Sequence, residues 1–381
     1  MIKSIVFVIN TYGDLGGHYY SLITTAEELH KKYNIHIVNI GKTISPVIEQ
    51  SKIPHTFLFS NYHDVISVTI RLLKIFKQKK ADVVHAFDRV SYLYSLYASW
   101  IKRIPLVVTK CGGPIIKLFP FVSNIVVFTK EDYYFFSSKS NSYETSISFV
   151  PNRVAHFHQD IKRIEQLKNN LNINKSRVIL RIGRIDTSYQ MTAFQCIRLA
   201  KSFHKIDSSF VLLIIGNVAN QEVFKQITEY AEGCDYIHIV TDRYFTINAK
   251  ELIDIAEIVV GTGRNFMEAC SMGKTMMAPN KDEELPVLVT SDNFDDIFNY
   301  NFSERYQDKN NISTTNLLNE INGYREDTKR WYDKFFSSKM IESSYSDFYN
   351  NLKPTSYIKI FKTSIYQLLS IAFHSFREKE H

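Results

Sequence analysis

The stretch Ile147-Ser-Phe-Val-Pro-Asn-Arg153 divides the chain. A short apolar run ends on Val150 and meets Pro151, which has no amide to donate and holds the residue before it extended, so a strand stops there and a linker begins. Upstream, β-branched runs at 5–9, 35–40, 56–59, 83–86, 106–109, 125–128 and 147–150 read as strands, with helical patterns at 19–32, 65–79 and 92–101. Downstream, after a polar segment over 153–175, the alternation restarts. Strands are predicted at 178–182, 210–215, 236–240, 258–260 and 275–278, and helices at 191–203, 222–231, 249–256 and 266–272. Strand alternating with helix means parallel sheets with crossover connections, an α/β chain of two doubly wound, Rossmann-like domains. The expected division is 1–151, 152–350 and a terminal amphipathic helix over 351–381, with 281–311 supplying a strand and loops of the second domain. Two such domains bring strand carboxyl ends to a cleft, so an interdomain ligand site is expected.

A length of 381 residues fits two domains, and 45% hydrophobic with 22% charged residues excludes a disordered or low-complexity chain. The four cysteines, Cys111, Cys196, Cys234 and Cys270, form no C-x-x-C pair, so neither a disulfide framework nor a thiolate zinc site is expected, and a reducing compartment fits. The apolar run near the start is shorter than the ~7–15 residues of a signal-peptide core. No run approaches the ~20 apolar residues that span a bilayer. The expected location is therefore cytoplasmic, either free or peripheral at the inner face of the membrane.

Charge is one-sided. Residues 1–150 hold 17 Lys+Arg against 10 Asp+Glu, so the whole net charge of +7 lies there. Arg71-Leu-Leu-Lys-Ile-Phe-Lys-Gln-Lys-Lys80 alternates basic with apolar residues at helical spacing, and Lys102, Arg103, Lys110 and Lys117 follow. Such a surface either docks on anionic lipid headgroups or is a solvated helix face. No zinc-finger spacing, RNP-like motif or Arg-rich tail points to nucleic acid, and no nucleic-acid partner is expected. At the end of the chain, Ile358, Phe361, Ile365, Leu368, Leu369, Ala372 and Phe376 make one apolar helical stripe. A packed terminal helix is the default reading and a membrane-surface helix the sharper alternative.

Three strand-to-helix turns carry chemistry. Gly13-Asp-Leu-Gly-Gly17 precedes a helix beginning near His18, where glycines admit a ligand and helix-start amides favour an anion. In Arg181-Ile-Gly-Arg-Ile-Asp186, Gly183 makes a tight turn and Arg184 projects from the strand end, able to fork onto a diphosphate or to pair with Asp186 on the surface. In Val260-Gly-Thr-Gly-Arg-Asn-Phe-Met-Glu268, Gly261 and Gly263 make the turn and a helix starts near Asn265. Glu268 in its first turn or so can accept from vicinal ribose hydroxyls, or simply sit well in the helix dipole.

Taken in order, Gly16-Gly17-His18, Val83-Val-His-Ala-Phe87, Pro105-Leu-Val-Val-Thr109, Val150-Pro-Asn-Arg-Val154, Ile182-Gly-Arg-Ile185, Leu212-Leu-Ile-Ile-Gly216 and Met267-Glu-Ala-Cys-Ser-Met-Gly273 resemble the GT-B nucleotide-sugar glycosyltransferases. Within them the likeness is to the large retaining family of bacterial capsule, O-antigen and lipopolysaccharide enzymes (family 4-like), over roughly residues 1–280. The resemblance implies that Gly16 and Gly17 border the donor diphosphate, Arg184 neutralises the leaving group and Glu268 holds the donor ribose. His18, His85 and Lys110 are candidates on the acceptor side, though each histidine could equally be structural. No cofactor is implied beyond the nucleotide-sugar substrate. With no D-x-D motif, no metal is expected either, and arginine and helix starts serve as electrophiles.

Two departures stand out. The lysine that usually follows the Gly-Arg pair is absent from Asp186-Thr-Ser-Tyr-Gln190, and Arg264 is the candidate to replace its charge. The usual pair of glutamates is reduced to Glu268, which leaves the transferred sugar open. The expected function is transfer of a sugar from a nucleotide donor to a glycan or lipid-linked acceptor at an anionic membrane. The alternatives are a noncatalytic sugar-nucleotide-binding protein and a nucleotide-sugar 2-epimerase.

Overall fold

The structure, a computed structural model, describes residues 2–11, 16–61, 64–116, 119–140, 145–308, 317–318, 320–321 and 325–365. Gly13, Lys117 and the last four members of the terminal stripe lie outside them. The chain forms two compact units, Met1–Arg153 with Ser338–His381, and Val154–Ser337.

The first unit is built on a seven-stranded parallel sheet. Its strands are β1 (Ser4–Thr11), β2 (Asn34–Gly41), β3 (His55–Phe59), β4 (Val83–Ala86), β5 (Leu106–Lys110), β6 (Asn124–Val127) and β7 (Ser146–Phe149), in the order β3-β2-β1-β4-β5-β6-β7. Each predicted strand is present within a residue or two. Side chains of a strand alternate between faces, and both faces of this sheet are covered, which is why its strands are apolar at nearly every position. Ile5, Phe7 and Ile9 pack under α1 (Gly17–His30) and α2 (Pro46–Glu49). Val6 and Val8 pack on the other side under α3 (Val65–Gln78) and α4 (Arg89–Lys102), with α5 (Lys130–Ser140) beside them. Asp88 caps α4, accepting from the Ser91 amide at 2.7 Å and from the Asn10 amide at 2.8 Å, and so ties the ends of β4 and β1 together.

The expected boundary at residue 350 is corrected. Helix Ile341–Asn350 belongs to the first unit, where Ile341, Tyr345, Phe348 and Tyr349 enter the core beneath α1. The Tyr349 hydroxyl lies 2.7 Å from Nδ1 of His85, Ser346 Oγ lies 2.9 Å from the Tyr33 hydroxyl, and Lys32 pairs with Glu342. In the terminal helix, 357–365, the described part of the stripe departs from the default packed reading. Ile360 and Thr363 face the sheet, Thr363 donates to the Phe121 carbonyl and Ser364 Oγ lies 2.8 Å from the Tyr97 hydroxyl, whereas Ile358, Phe361 and Ile365 point outward.

His85 is fully buried between Tyr349 and Thr109, whose Oγ1 is 2.7 Å from Nε2, and burial pushes its pKa down to about 3. A histidine held neutral stabilises the fold above its unfolded pKa of about 6.5, and that contribution is lost as pH falls toward the folded value. Moving from pH 7 to pH 5 should therefore cost the first unit about 2 kcal/mol through this residue. His85→Gln, which cannot titrate, should flatten the slope in thermal unfolding followed across that range. His36, pushed down to about 4 by burial and then by Lys79, adds a slope of the same sign that the substitution leaves in place.

The second unit begins with α6 (Ile161–Leu171), inside the segment read as a polar linker. Asp160 caps it and its Ile164 and Leu167 are buried. Its sheet comprises β8 (Arg177–Ile182), β9 (Phe210–Ile215), β10 (Ile237–Val240), β11 (Ile258–Val260), β12 (Thr275–Ala278) and the antiparallel β13 (Val287–Leu288), ordered β10-β9-β8-β11-β12-β13. Its other α-helices include α7 (Gln190–Ile206), α8 (Gln221–Ala231), α9 (Arg243–Thr246), α10 (Gly263–Ser271) and α11 (Phe294–Asn299). The helix predicted at 249–256 is a 3₁₀ segment, Ala249–Ile255. Phe266 of α10 stacks on Phe302 with ring centroids 3.6 Å apart and anchors that helix to the α11 side.

Candidate functional site

In the second sheet the strand order reverses between β8 and β11, which pair directly. The crevice outside the carboxyl ends of strands at such a reversal is where doubly wound sheets hold ligands. Here the ends lead into Gly183-Arg184 and into Gly261-Thr262-Gly263. The β8 turn is seated by β9. The Gly183 amide donates to the Ile215 carbonyl and the Ile185 amide to that of Asn217, while a Cβ on Gly216 would fall 1.9 Å from the Gly183 carbonyl oxygen. Only glycine permits that approach.

Arg184 leaves the turn 43% exposed, with Nη2 3.3 Å from Asp186 and its guanidinium 5.9 Å from the Tyr189 ring centre. The surface pairing considered for it is thus made, on a side chain that keeps access to solvent. Asp186 also accepts from the Ser188 amide, so the carboxylate is fixed by its own turn. Arg181, not singled out from the sequence, adds a second cation. It is 3% exposed, donates from Nη1 to the Ile182 carbonyl at 2.8 Å, and stands 5.5 Å from the same tyrosine ring. Its signal was an arginine interrupting the apolar run Val178-Ile-Leu-Arg-Ile182.

Helix α10 starts at Gly263, two residues earlier than expected, so Glu268 falls in its second turn. Gly263 has φ +51° and donates its amide to the Asn301 carbonyl, fastening the turn to a neighbouring loop. No side chain caps this helix and no acidic residue occupies its first turn. Both polar atoms of the Asn265 side chain are buried without a partner. Leaving such groups unsatisfied costs ~1–3 kcal/mol, and a bound ligand or an ordered water is what satisfies them. Arg264 and Glu268, placed separately by the sequence, are bonded to each other, Nε to Oε1 at 2.8 Å, and both are about nine-tenths buried. Arg264, the candidate to replace the missing lysine's charge, thus spends one donor on the Glu268 carboxylate.

The remaining candidates belong to the first unit. Gly16 and Gly17 open α1, again with no side-chain cap, and His18 folds back so that a Cβ on Gly16 would meet its ring at 2.7 Å. His85 and Lys110 are corrected as acceptor contacts. The first lies inside the core, and Lys110 Nζ is buried 2.9 Å from the buried Asp132, which also accepts from Thr129. Both faces of this sheet are covered, so a polar side chain along its strands needs a partner inside the fold rather than a substrate. Among the described residues no group of three or more His, Cys, Asp or Glu could hold a metal, and no helix is long and apolar enough to cross a membrane.

No family profile matches the chain. An N-acetylglucosamine transferase of Prochlorococcus marinus (strain MIT 9215), acting on N-acetylmuramyl-(pentapeptide) pyrophosphoryl-undecaprenol with UDP-N-acetylglucosamine, is 24% identical over 126 residues, 29% of this chain and 35% of that protein. The chain thus matches about a third of the length of the curated relatives it resembles. A glycosyltransferase from Rickettsia africae superposes with a TM-score of 0.67 at 12% identity, covering 91% of this chain and 98% of that one. Anabaena HepE in complex with UDP superposes with a TM-score of 0.66 at 12% identity, covering 92% and 100%. The fold is GT-B. GT-B chains do not all carry one chemistry: a putative UDP-N-acetylglucosamine 2-epimerase from Listeria monocytogenes is also similar, with a TM-score of 0.55 and 15% identity over 93% of this chain and 99% of that one.

Proposed function

We propose that this GT-B protein transfers a sugar from a UDP-sugar to a glycan or lipid-linked acceptor in surface polysaccharide biosynthesis. The observation that carries the reading is that the two strands flanking the strand-order reversal run out, one into the Arg184 turn and the other into an uncapped helix start bearing the unpartnered Asn265 amide. Transfer breaks the bond between the anomeric carbon and the diphosphate oxygen. The electron pair stays on the diphosphate, whose charge grows while the sugar becomes oxocarbenium-like. In this reading Arg184 and the start of α10 meet that growing charge, and Glu268 accepts from the ribose hydroxyls. This assigns the step to side chains and amides, with no resident metal or cofactor, and with retention at the anomeric carbon, which the motif likeness supports. The lipid-linked acceptor is supported by the named substrate of the Prochlorococcus relative. With the basic first unit, it supports a place at the cytoplasmic face of an anionic membrane.

Two other readings share the architecture. The missing lysine favours a noncatalytic nucleotide-sugar-binding protein, and the Listeria likeness favours a 2-epimerase. Incubation with radiolabelled nucleotide sugars and membrane extract separates them. Free nucleoside diphosphate together with label in the extract is the expected result; an epimerised sugar nucleotide, or binding without turnover, would replace the proposal with one of the alternatives.

A further inference from the structure

The helices on the two faces of the first sheet differ in charge. On one face, α1, α2 and helix Ile341–Asn350 carry Glu27, Glu28, Glu49, Glu342 and Asp347. On the other, α3, α4 and helix 357–365 contain no acidic residue at all. The fourth helix there, α5, has Glu131 and Asp132 in its first turn, and Asp132 is buried against Lys110. This acid-poor layer also shows large apolar side chains to solvent. Tyr357 is 77% exposed and Ile358 and Phe361 are each 67% exposed on the terminal helix, and Ile66 of α3 is 78% exposed. Tyr357 meets Trp100 edge-on at 5.6 Å, and Trp100 is followed by Ile101, Lys102 and Arg103, all exposed.

We infer that helix 357–365, with the end of α4, docks this unit in the plane of an anionic bilayer surface. An apolar stripe flanked by Trp and Tyr and by Lys and Arg, on helices that carry no acidic residue, is the composition that inserts side chains at the headgroup boundary while cations meet lipid phosphates. A second copy of the chain would bring the same excess of basic over acidic residues on α3, α4 and helix 357–365, so the charge pattern favours lipid. The helix is held in place by its small polar face, Thr363 to the Phe121 carbonyl and Ser364 against Tyr97, and its apolar stripe therefore stays outward. The inference deepens the proposal of a membrane-borne acceptor and rests on it for its purpose, while the docking itself requires no catalysis.

Vesicle flotation of the full chain tests it. Wild-type protein should float with phosphatidylglycerol-containing vesicles, and only weakly with phosphatidylcholine alone. The pair Ile358→Asp and Phe361→Asp should lower the partition coefficient at least about tenfold. Lys102→Glu with Arg103→Glu should lower it about fivefold per removed charge. Ile161→Asp, at an exposed apolar site on the second unit, should leave it unchanged. UDP titration of the same variants should match wild type, which keeps a failure of docking apart from a failure of the donor site. Wild-type protein that does not float, either paired substitution floating as wild type does, or a lipid-independent dimer dispersed by the Ile358/Phe361 pair would overturn the inference.

Discussion

Arg184→Ala lowers glycosyl transfer from the UDP-sugar about 100-fold or more, chiefly in kcat, and leaves thermal unfolding nearly unchanged. The rate effect follows from where the charge appears. A donor aimed at an anion that grows only in the transition state contributes ~2.7–4 kcal/mol there and less in the ground state. The small stability effect follows from exposure, since an ion pair on a half-exposed arginine such as that with Asp186 is worth ~0–1 kcal/mol. Arg184→Lys should recover part of the loss, because a point charge replaces the fork but cannot bond a diphosphate bidentately. Steady-state kinetics with saturating acceptor distinguishes these outcomes. A variant that loses only KM would place Arg184 in ground-state binding instead.

Lys110→Met destabilises the first unit by about 3–5 kcal/mol at neutral pH, the cost of leaving a buried carboxylate without its cation. Asp132 is fully buried, its Oδ1 has no partner, and burial already holds its pKa above the ordinary carboxylate value despite Lys110. A carboxyl raised in the folded state favours folding below its unfolded pKa, and that contribution is lost as pH rises through the folded value. The variant's deficit should therefore shrink on acidification, and adding Asp132→Asn should restore most of the loss at neutral pH. Chemical denaturation of the three proteins at two pH values checks this. Equal stability of wild type and Lys110→Met would show that the pair is not buried as described.

Both sheets could be read from the chain because parallel strands covered on two faces must be apolar almost throughout, and runs such as Ile5–Ile9 and Phe210–Ile215 admit little else. His85 is subject to the same constraint, since a histidine within Val83-Val-His-Ala86 has no solvent-facing side to occupy. The Arg264–Glu268 pair was also present in its i, i+4 spacing. Other features leave no such trace. Sequence order does not say to which sheet a segment returns, so 341–350 fell inside the expected second domain although it packs in the first unit. Helix 357–365 turned its stripe outward because Thr363 and Ser364 found partners on the inside. The orphaned amide of Asn265 depends on three-dimensional surroundings that spacing does not encode.

A nucleoside diphosphate site at the end of β8 and the start of α10 is the feature on which the proposed transfer depends. Calorimetric titration of the full chain with UDP tests it most directly. One saturable site is expected, weakened at least about tenfold by Arg184→Ala, which removes the cation, and by Glu268→Gln, which removes the carboxylate held by Arg264. Saturable binding unaffected by both substitutions, or no binding of UDP at all, would contradict it.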